Sequence, residues 1–579
     1  MPPAPAVHLT ELRILDGPNL YFTRPAVKLT LDVQGWLDLP EERTRRLAAK
    51  LGVPGAADDS GGSRLRPGAP RSERRLRFVA RVGAFVTRSL AHASGTALAV
   101  RARPGPEPNQ IVVSFPWRHR GAAEALGREV ARMLGRLLDG RRSHPRLLRE
   151  AWERLSRVEP GPSPTVSNPV VPVIAVTGTN GKTTTVRLLA HLARTSGRTV
   201  AYSSTDGVYL NDRLVEKSDY SGFGGAEKAL AQPGVEVAVL ETARGGILLR
   251  GIGTLHNDVA VVTNVSADHL GLLGIRTLDQ LAEVKSTILR ITRPRGWDVL
   301  NGDDPRVLAM RRIARGRPWI FSLDPDHPAL RTALEERGRG MTVIDGAMTL
   351  LDRGDSRSLV ALEEVPVTLA GISSHNIQNA MAATAAALGI GLPEEHVIAG
   401  LRTFVLDAER NPGRTNLYEL GGRVIVVDYA HNEASMAGLI ETCRGLRSPG
   451  HEIWLAACTA GDRTPEILRT FAYIGARGSD HFCIAELLHY LRGSTREAVL
   501  EGLRAGAEEA GITDVPAYVD ELTALKEMLA RAGKRDVVAV TALSQRSQIF
   551  EFLGKSGARQ IGPKRVRQLV RRARSLTSI

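Results

Sequence analysis

The stretch VIAVTGTNGKTTT, Val173 to Thr185, decides how this chain is read. VIAV is a short β-branched run, a Gly-containing loop follows, and TTTVRLLAHLART reads as the helix that the loop feeds. Strand, Gly loop and helix in that order are the context a phosphate-binding loop needs. The usual pattern is G-x-x-x-x-G-K-[ST], and its first Gly position here holds Val176. The loop is instead the tighter Gly178-Thr179-Asn180-Gly181-Lys182-Thr183, with Thr184 next in line. Gly178 and Gly181 let backbone N–H groups turn toward phosphate oxygens, and the helix N-terminus adds partial positive charge. Lys182 is then placed for the β- and γ-phosphates, and the Thr183 hydroxyl for Mg2+. A Gly-rich loop alone is often only a turn; with G-K-T between strand and helix, ATP is the better reading.

Length and composition set the frame. A chain of 579 residues exceeds one ordinary core, and with 43% hydrophobic and 24% charged residues it folds around several. The opening MPPAPAVHLT has no signal-peptide pattern and no apolar run spans a bilayer, so a cytoplasmic protein with no membrane association is expected. Cys443, Cys458 and Cys483 are not spaced as a zinc motif and read as buried small hydrophobes in a reducing compartment. The net charge of +15 raises nucleic acid as a partner, but the arginines are spread along the chain. Two clusters stand out, Arg71 to Arg81 and Lys564 to Arg574, without an aromatic platform or recognition-helix pattern beside them. Nucleic acid therefore ranks last, and a carboxylate-rich ligand suits the charge equally well.

Three units are expected: residues 1–160, an α+β domain; 168–408, a central nucleotide-binding α/β domain; and 409–579, a Rossmann-like α/β domain ending in a basic tail. AVKLTLDV and QIVVSFPW read as strands of the first, GAAEALGREVARMLGRLLDG as its amphipathic helix. VEVAVLE and DVAVVTN read as buried parallel strands of the second. RVIVVDYA, EIWLAAC, HFCIAE and VVAVTAL, alternating with helical stretches, make the third.

Further motifs fall at strand ends, where α/β sheets place ligands. ETARGG puts Glu241 at one end; TNVSADHLG puts Asn264, Asp268 and His269 after another; Lys285 follows in LAEVKSTI. Then come SSHNIQNAMAA with His375, Asn376 and Asn379, NPGR with Arg414, DYAHN with Asp428 and His431, and GDR with Asp462 and Arg463. This ordered series resembles the Mur ligase superfamily, and within it the Mur-like part of cyanophycin synthetase, whose wording TDGVY, LETARGGIL, DHLGLLGIRTL and NPGRTNL echo. LDGPNLYFTRPAVKLTLDV and RVGAFVTRSLAHASGTALAV resemble that family's N-terminal domain. The linker Glu159 to Pro172 leaves no room for the ATP-grasp domain that the family carries between the two.

The resemblance implies an ADP-forming acid–amino acid ligase: ATP phosphorylates a substrate carboxylate, and an amine displaces phosphate to give an amide. The cofactors implied are ATP and Mg2+, the partners a carboxylate-bearing acceptor, with an acidic peptide or polymer among the candidates, and an amino acid or other amine; a homo-oligomer is expected. By resemblance, the catalytic residues are Lys182, Glu241, His269, Lys285 and His431. Thr183, Glu241, His269 and a carbamylated Lys285 would serve metal, and the loop Gly178 to Thr184 with Asn264, Asn376, Arg414 and Asp428 would serve the nucleotide. Each has a plainer reading: a strand-end carboxylate facing solvent, a turn-forming Asn, a solvated helical Lys. Glu433 stands where relatives often carry Pro. Two other functions stay open, a non-catalytic ATP-binding partner of a separate synthetase and an ATPase switch.

Overall fold

The computed structural model describes residues 7–53, 66–140, 142–268 and 270–575. Among them are three sheets, each with its own helices, in a multidomain α/β architecture. The first is four-stranded and antiparallel, in the order His8–Leu15, Ala26–Asp32, Gln110–Pro116, Arg101–Pro104. Helices Glu73–Ala93 and Arg120–Asp139 pack on it, and Leu29, Leu31, Val79, Val113 and Val130 are in its core. The basic cluster at Arg71 to Arg81 lies largely in the first of these helices. One of its arginines is not a surface charge: Arg75 is buried and donates to the carbonyls of Trp36, Leu39, Pro67 and Gly68.

The central sheet has eleven strands among the described residues. Seven run parallel, in the order Arg339–Ile344, Arg317–Phe321, Thr292–Asn301, Asn257–Val262, Val173–Thr177, Val237–Glu241, Val200–Ser204. Antiparallel strands extend both edges. Helices cover the sheet, so its middle strands must be apolar on both faces; Val173–Thr177 and Val237–Glu241 are buried at every position. Their carboxyl ends open on one crevice, which receives the loops after Thr177, Ser204, Glu241 and Val262.

The third sheet has seven strands among the described residues, five of them parallel: Ala517–Tyr518, His481–Ala485, Ile453–Ala457, Val537–Thr541 and Arg423–Asp428. The basic stretch near the end of the chain forms the helix Pro563–Arg574, which buries Val566, Leu569 and Val570. Its arginines are partly spent within the molecule: Arg565 pairs with Glu419 and Arg571 with Glu363.

Candidate active site

The crevice is built around the loop after Val173–Thr177. Gly181 begins the helix Lys182–Thr195 in a left-handed conformation, φ 84°, and a Cβ there would stand 2.2 Å from Asn379 Oδ1. No other residue fits both the backbone and the space. Asn264 clamps the loop from the neighbouring strand end: its Oδ1 accepts from Asn180 N (2.9 Å) and its Nδ2 donates to the Asn180 carbonyl (3.1 Å). Both ends of that amide are thus engaged with loop backbone. Thr179 and Ser266 exchange a second pair of bonds.

Inside the loop, Lys182 Nζ folds back to donate to the Thr179 carbonyl (2.8 Å). The Thr183 hydroxyl donates to Glu241 Oε2 (2.8 Å) and lies 3.4 Å from the Thr205 hydroxyl. Glu241 is 1% exposed, and its other oxygen, Oε1, is buried without a hydrogen-bond partner. Burial pushes its carboxyl up, against the opposing charges of Lys182 and Arg414. A buried carboxylate with a spare oxygen beside a Thr hydroxyl is a hard-oxygen donor pair, and it fits Mg2+. Among the described residues no group of three or more His, Cys, Asp or Glu side chains gathers as a metal site. His269 lies outside the described residues.

Lys285, on the helix Leu278–Lys285, is 3% exposed and donates to the Gly178 carbonyl at 2.5 Å. It is not a solvated helical lysine. Burial, with Lys182 and Arg244 nearby, holds its ammonium well below the usual range. Asn376 and Asn379 lie on the helix Ser374–Gly389; Asn379 Nδ2 donates to Asn376 Oδ1 (3.2 Å) and its Oδ1 lies 3.4 Å from the Thr185 hydroxyl. His375 is half-buried, against Gly438 and near the charges of Asp428 and Glu441.

The third sheet's unit reaches the same loop. Asn432 and Asn180 exchange side-chain amide hydrogen bonds of 3.0 and 2.9 Å. Asn432 also caps the helix Glu433–Leu446, so Glu433 takes the first helical position, which suits either Pro or an acidic residue. His431 Nδ1 lies 2.9 Å from the Tyr429 carbonyl, so that nitrogen carries the proton and Nε2 faces Asp268 at 3.7 Å. Asp268 Oδ1 is 2.7 Å from Arg463. Asp428 accepts from the Thr415 amide and hydroxyl (2.7 and 2.8 Å), while the Arg414 guanidinium rests over the Tyr429 ring at 5.1 Å. Asn411 Nδ2 donates to the Thr184 hydroxyl (3.3 Å).

The Mur ligase middle domain profile matches residues 176–387, and the profile described as Mur ligase, glutamate ligase domain matches residues 413–543. The chain belongs to the Mur ligase superfamily. One relative within it, the cyanophycin synthetase of Crocosphaera subtropica, is 38% identical over 373 residues, 64% of this chain and 42% of that one. The UDP-N-acetylmuramyl-tripeptide synthetase of Deinococcus radiodurans is 29% identical over 380 residues, 63% of this chain and 71% of that one. A solved structure of E. coli FolC in complex with DHPP and ADP is 21% identical, covering 67% of this chain and 90% of that one with a TM-score of 0.49. The chain spans about two fifths of the length of the cyanophycin synthetases it matches, 41 to 42% in each case.

Three groups at this Mur ligase crevice carried no role in the sequence: Asn432, Asp206 and Arg546. Asn432 stands beside His431 in DYAHN, and its signal was the cap position before a helix. Asp206 lies in TDGVY, quoted for its resemblance alone. Arg546 lies in TALSQRSQIF, where no local pattern marks it.

Proposed function

We propose that this protein is an ATP-dependent, ADP-forming carboxylate–amine ligase that makes an amide through an acyl phosphate. The observation that carries the reading is the closure of the phosphate loop between two units: Glu241 Oε1 waits unpartnered beside Thr183 on one side, and Asn432 holds Asn180 from the other.

In the first step a carboxylate oxygen of the acceptor attacks the γ-phosphorus of ATP, the bond to the β–γ bridging oxygen breaks, and ADP leaves. Carboxylate and γ-phosphate repel each other, so the site must gather positive charge. Lys182 swings from the Thr179 carbonyl to the phosphates, and Arg414 leaves the Tyr429 ring to join it. Thr183 and Glu241 would hold Mg2+, which when bound offsets phosphate charge. Lys285, buried against the loop, is the group to be carbamylated, since its lowered basicity leaves the neutral amine that reacts with carbon dioxide. In the second step the amine attacks the acyl carbon, phosphate departs, and the amine loses a proton. His431 Nε2 faces this space beside Asp268. The contacts between units keep water from the acyl phosphate.

For the acceptor we propose an acidic peptide or polymer, with an amino acid as the amine. Supporting it are the likeness to cyanophycin synthetases over 64% of the chain and the net charge of +15. The test is mass spectrometry of acidic acceptor peptides incubated with Mg2+, ATP and pooled amino acids. A mass gain of one amino acid less water, lost in Lys182→Ala, is the expected result. Absence of any such product across broad panels would sink the ligase reading and leave an ATP-binding partner or a switch.

A further inference from the structure

Asp206 and Arg546, 340 positions apart, meet at the junction of the central and third-sheet units, and the chemistry above uses neither. Asp206 follows the strand Val200–Ser204. Its Oδ2 accepts from Arg187 and its Oδ1 from Arg546, both at 2.9 Å. Arg187, whose side chain is 4% exposed, comes from the helix that starts at the phosphate loop, and it also donates to the Arg410 carbonyl (2.9 Å). Arg546 donates to the Pro412 carbonyl (3.2 Å). Its stem lies so close to Gly413, φ 70°, that a Cβ there would come 2.5 Å from Arg546 Cδ. The connection between the units at 410–413 is therefore gripped by one guanidinium from each, with a single carboxylate between them.

Two more observations give this grip a purpose. Arg414, next along the connection, is felt electrostatically by both Asp206 and Glu241. Burial opposes the charge on Asp206, and Arg414, Arg546 and Arg187 together outweigh it. Arg187 and Arg546 are bonded to the Asp206 carboxylate, and of these three arginines Arg414 is the one whose charge also acts on Glu241. The turn that presents Arg546 is held rigid from below. Glu521, fully buried, accepts the backbone N–H groups of Leu543, Ser544 and Gln545 at 2.7, 2.9 and 2.6 Å. A long side chain that bonds two separate segments works only when its base is fixed.

We propose that Asp206 and Arg546 form a latch that sets the closed angle between the two units and so positions Arg414 for the reacting phosphates. Arg546 is a positioning residue, acting through the connection and through Arg414. Its effect on turnover rests on the ligase reading; its effect on the angle does not.

The test uses the full chain with Arg546→Met, Arg546→Lys and, as a charge-removal control on the same helix, Lys555→Met. Arg546 is 28% exposed at its side chain and Lys555 is 76% exposed with its partner Glu551 one turn away, so the fold survives each change. Hydrogen exchange of the 410–417 amides and the radius of gyration by X-ray scattering are read without substrate. In Arg546→Met those amides exchange about fivefold faster, as for loss of one partly buried ion pair, and the radius grows. Arg546→Lys, which keeps the charge but cannot fork to Asp206 and Pro412 together, shows a smaller change, and Lys555→Met none. Wild-type exchange and scattering in both Arg546 variants would overturn the latch; Arg546→Lys decides alone if Arg546→Met unfolds. With an acceptor in hand, kcat falls about fivefold in Arg546→Met while KM for the acceptor holds. A chain that opens as stated yet never makes an amide would refute the ligase and leave the latch standing.

Discussion

Gly181 and Asn379 fit together so closely that position 181 admits no side chain: a Cβ would lie 2.2 Å from Asn379 Oδ1, on a backbone already at φ 84°. The loop and the helix Ser374–Gly389 are thereby joined at the residue where the proposed function seats the nucleotide's phosphates. Gly181→Ala should weaken nucleotide binding at least tenfold, about 1.4–3 kcal/mol, from backbone strain plus displacement of Asn379. Isothermal titration with a nonhydrolysable ATP analogue reads this. Wild-type affinity would mean that the loop tolerates a shift the packing argues against.

Glu241 offers the opposite kind of change. Its buried carboxylate is pushed up by desolvation and has one oxygen unpartnered. Glu241→Gln removes that buried charge, so the metal-free protein should melt at the same temperature or higher. The stabilisation brought by Mg2+ with ATP should shrink toward zero. Thermal melts with and without Mg2+ and ATP separate the two effects. An undiminished gain in the variant would remove Glu241 from the metal site.

Asp298 lies away from the crevice and gives a pH signature. Burial lifts its carboxyl from 3.8 to about 7, although the Thr292 hydroxyl (2.6 Å) and the Gly316 amide (2.7 Å) support the charged form. Between those values the folded chain holds a proton that the unfolded chain releases. This contribution to stability is therefore full below about pH 4 and is lost as pH rises to about 7. Compared with Asp298→Asn, the wild type should lose roughly 1–4 kcal/mol across that window. Urea unfolding at several pH values measures it, and parallel curves for the two proteins would contradict it.

Arg75 holds the first unit together from inside. Its guanidinium serves four carbonyls, among them Leu39 at 2.7 Å and Gly68 at 2.8 Å. Arg75→Met leaves these acceptors buried and should destabilise the unit by roughly 2–4 kcal/mol. Denaturant unfolding followed by tryptophan fluorescence reads this, Trp36 being fully buried beside it.

Where a function was carried by neighbours in the sequence, the chain could be read directly. VIAV, the loop and TTTVRLLAHLART became Val173–Thr177 and Lys182–Thr195, because strand, turn and helix signals are local. The strands at VEVAVLE and DVAVVTN lie within two residues of their observed limits, Val237–Glu241 and Asn257–Val262. Runs buried on both faces leave a continuous apolar signature. The contacts between units left no such trace. Asn180 and Asn432 stand 252 positions apart, and Arg546 follows a stretch with no motif. Within the basic cluster Arg71 to Arg81 nothing local sets Arg75 apart, and only the fold shows that its charge is enclosed by carbonyls. The roles of Asn264 and Lys285 were narrower in sequence than in space, since both bond the phosphate loop's own backbone.

The central claim is that ATP is consumed to join an acid to an amine, and ADP formation measured in four parallel conditions tests it most directly. Mg2+ and ATP are supplied with neither partner, with acidic peptide alone, with amino acids alone, and with both. The account predicts sustained ADP formation only with both, abolished in Lys182→Ala. Steady hydrolysis that proceeds equally in all four conditions would contradict it.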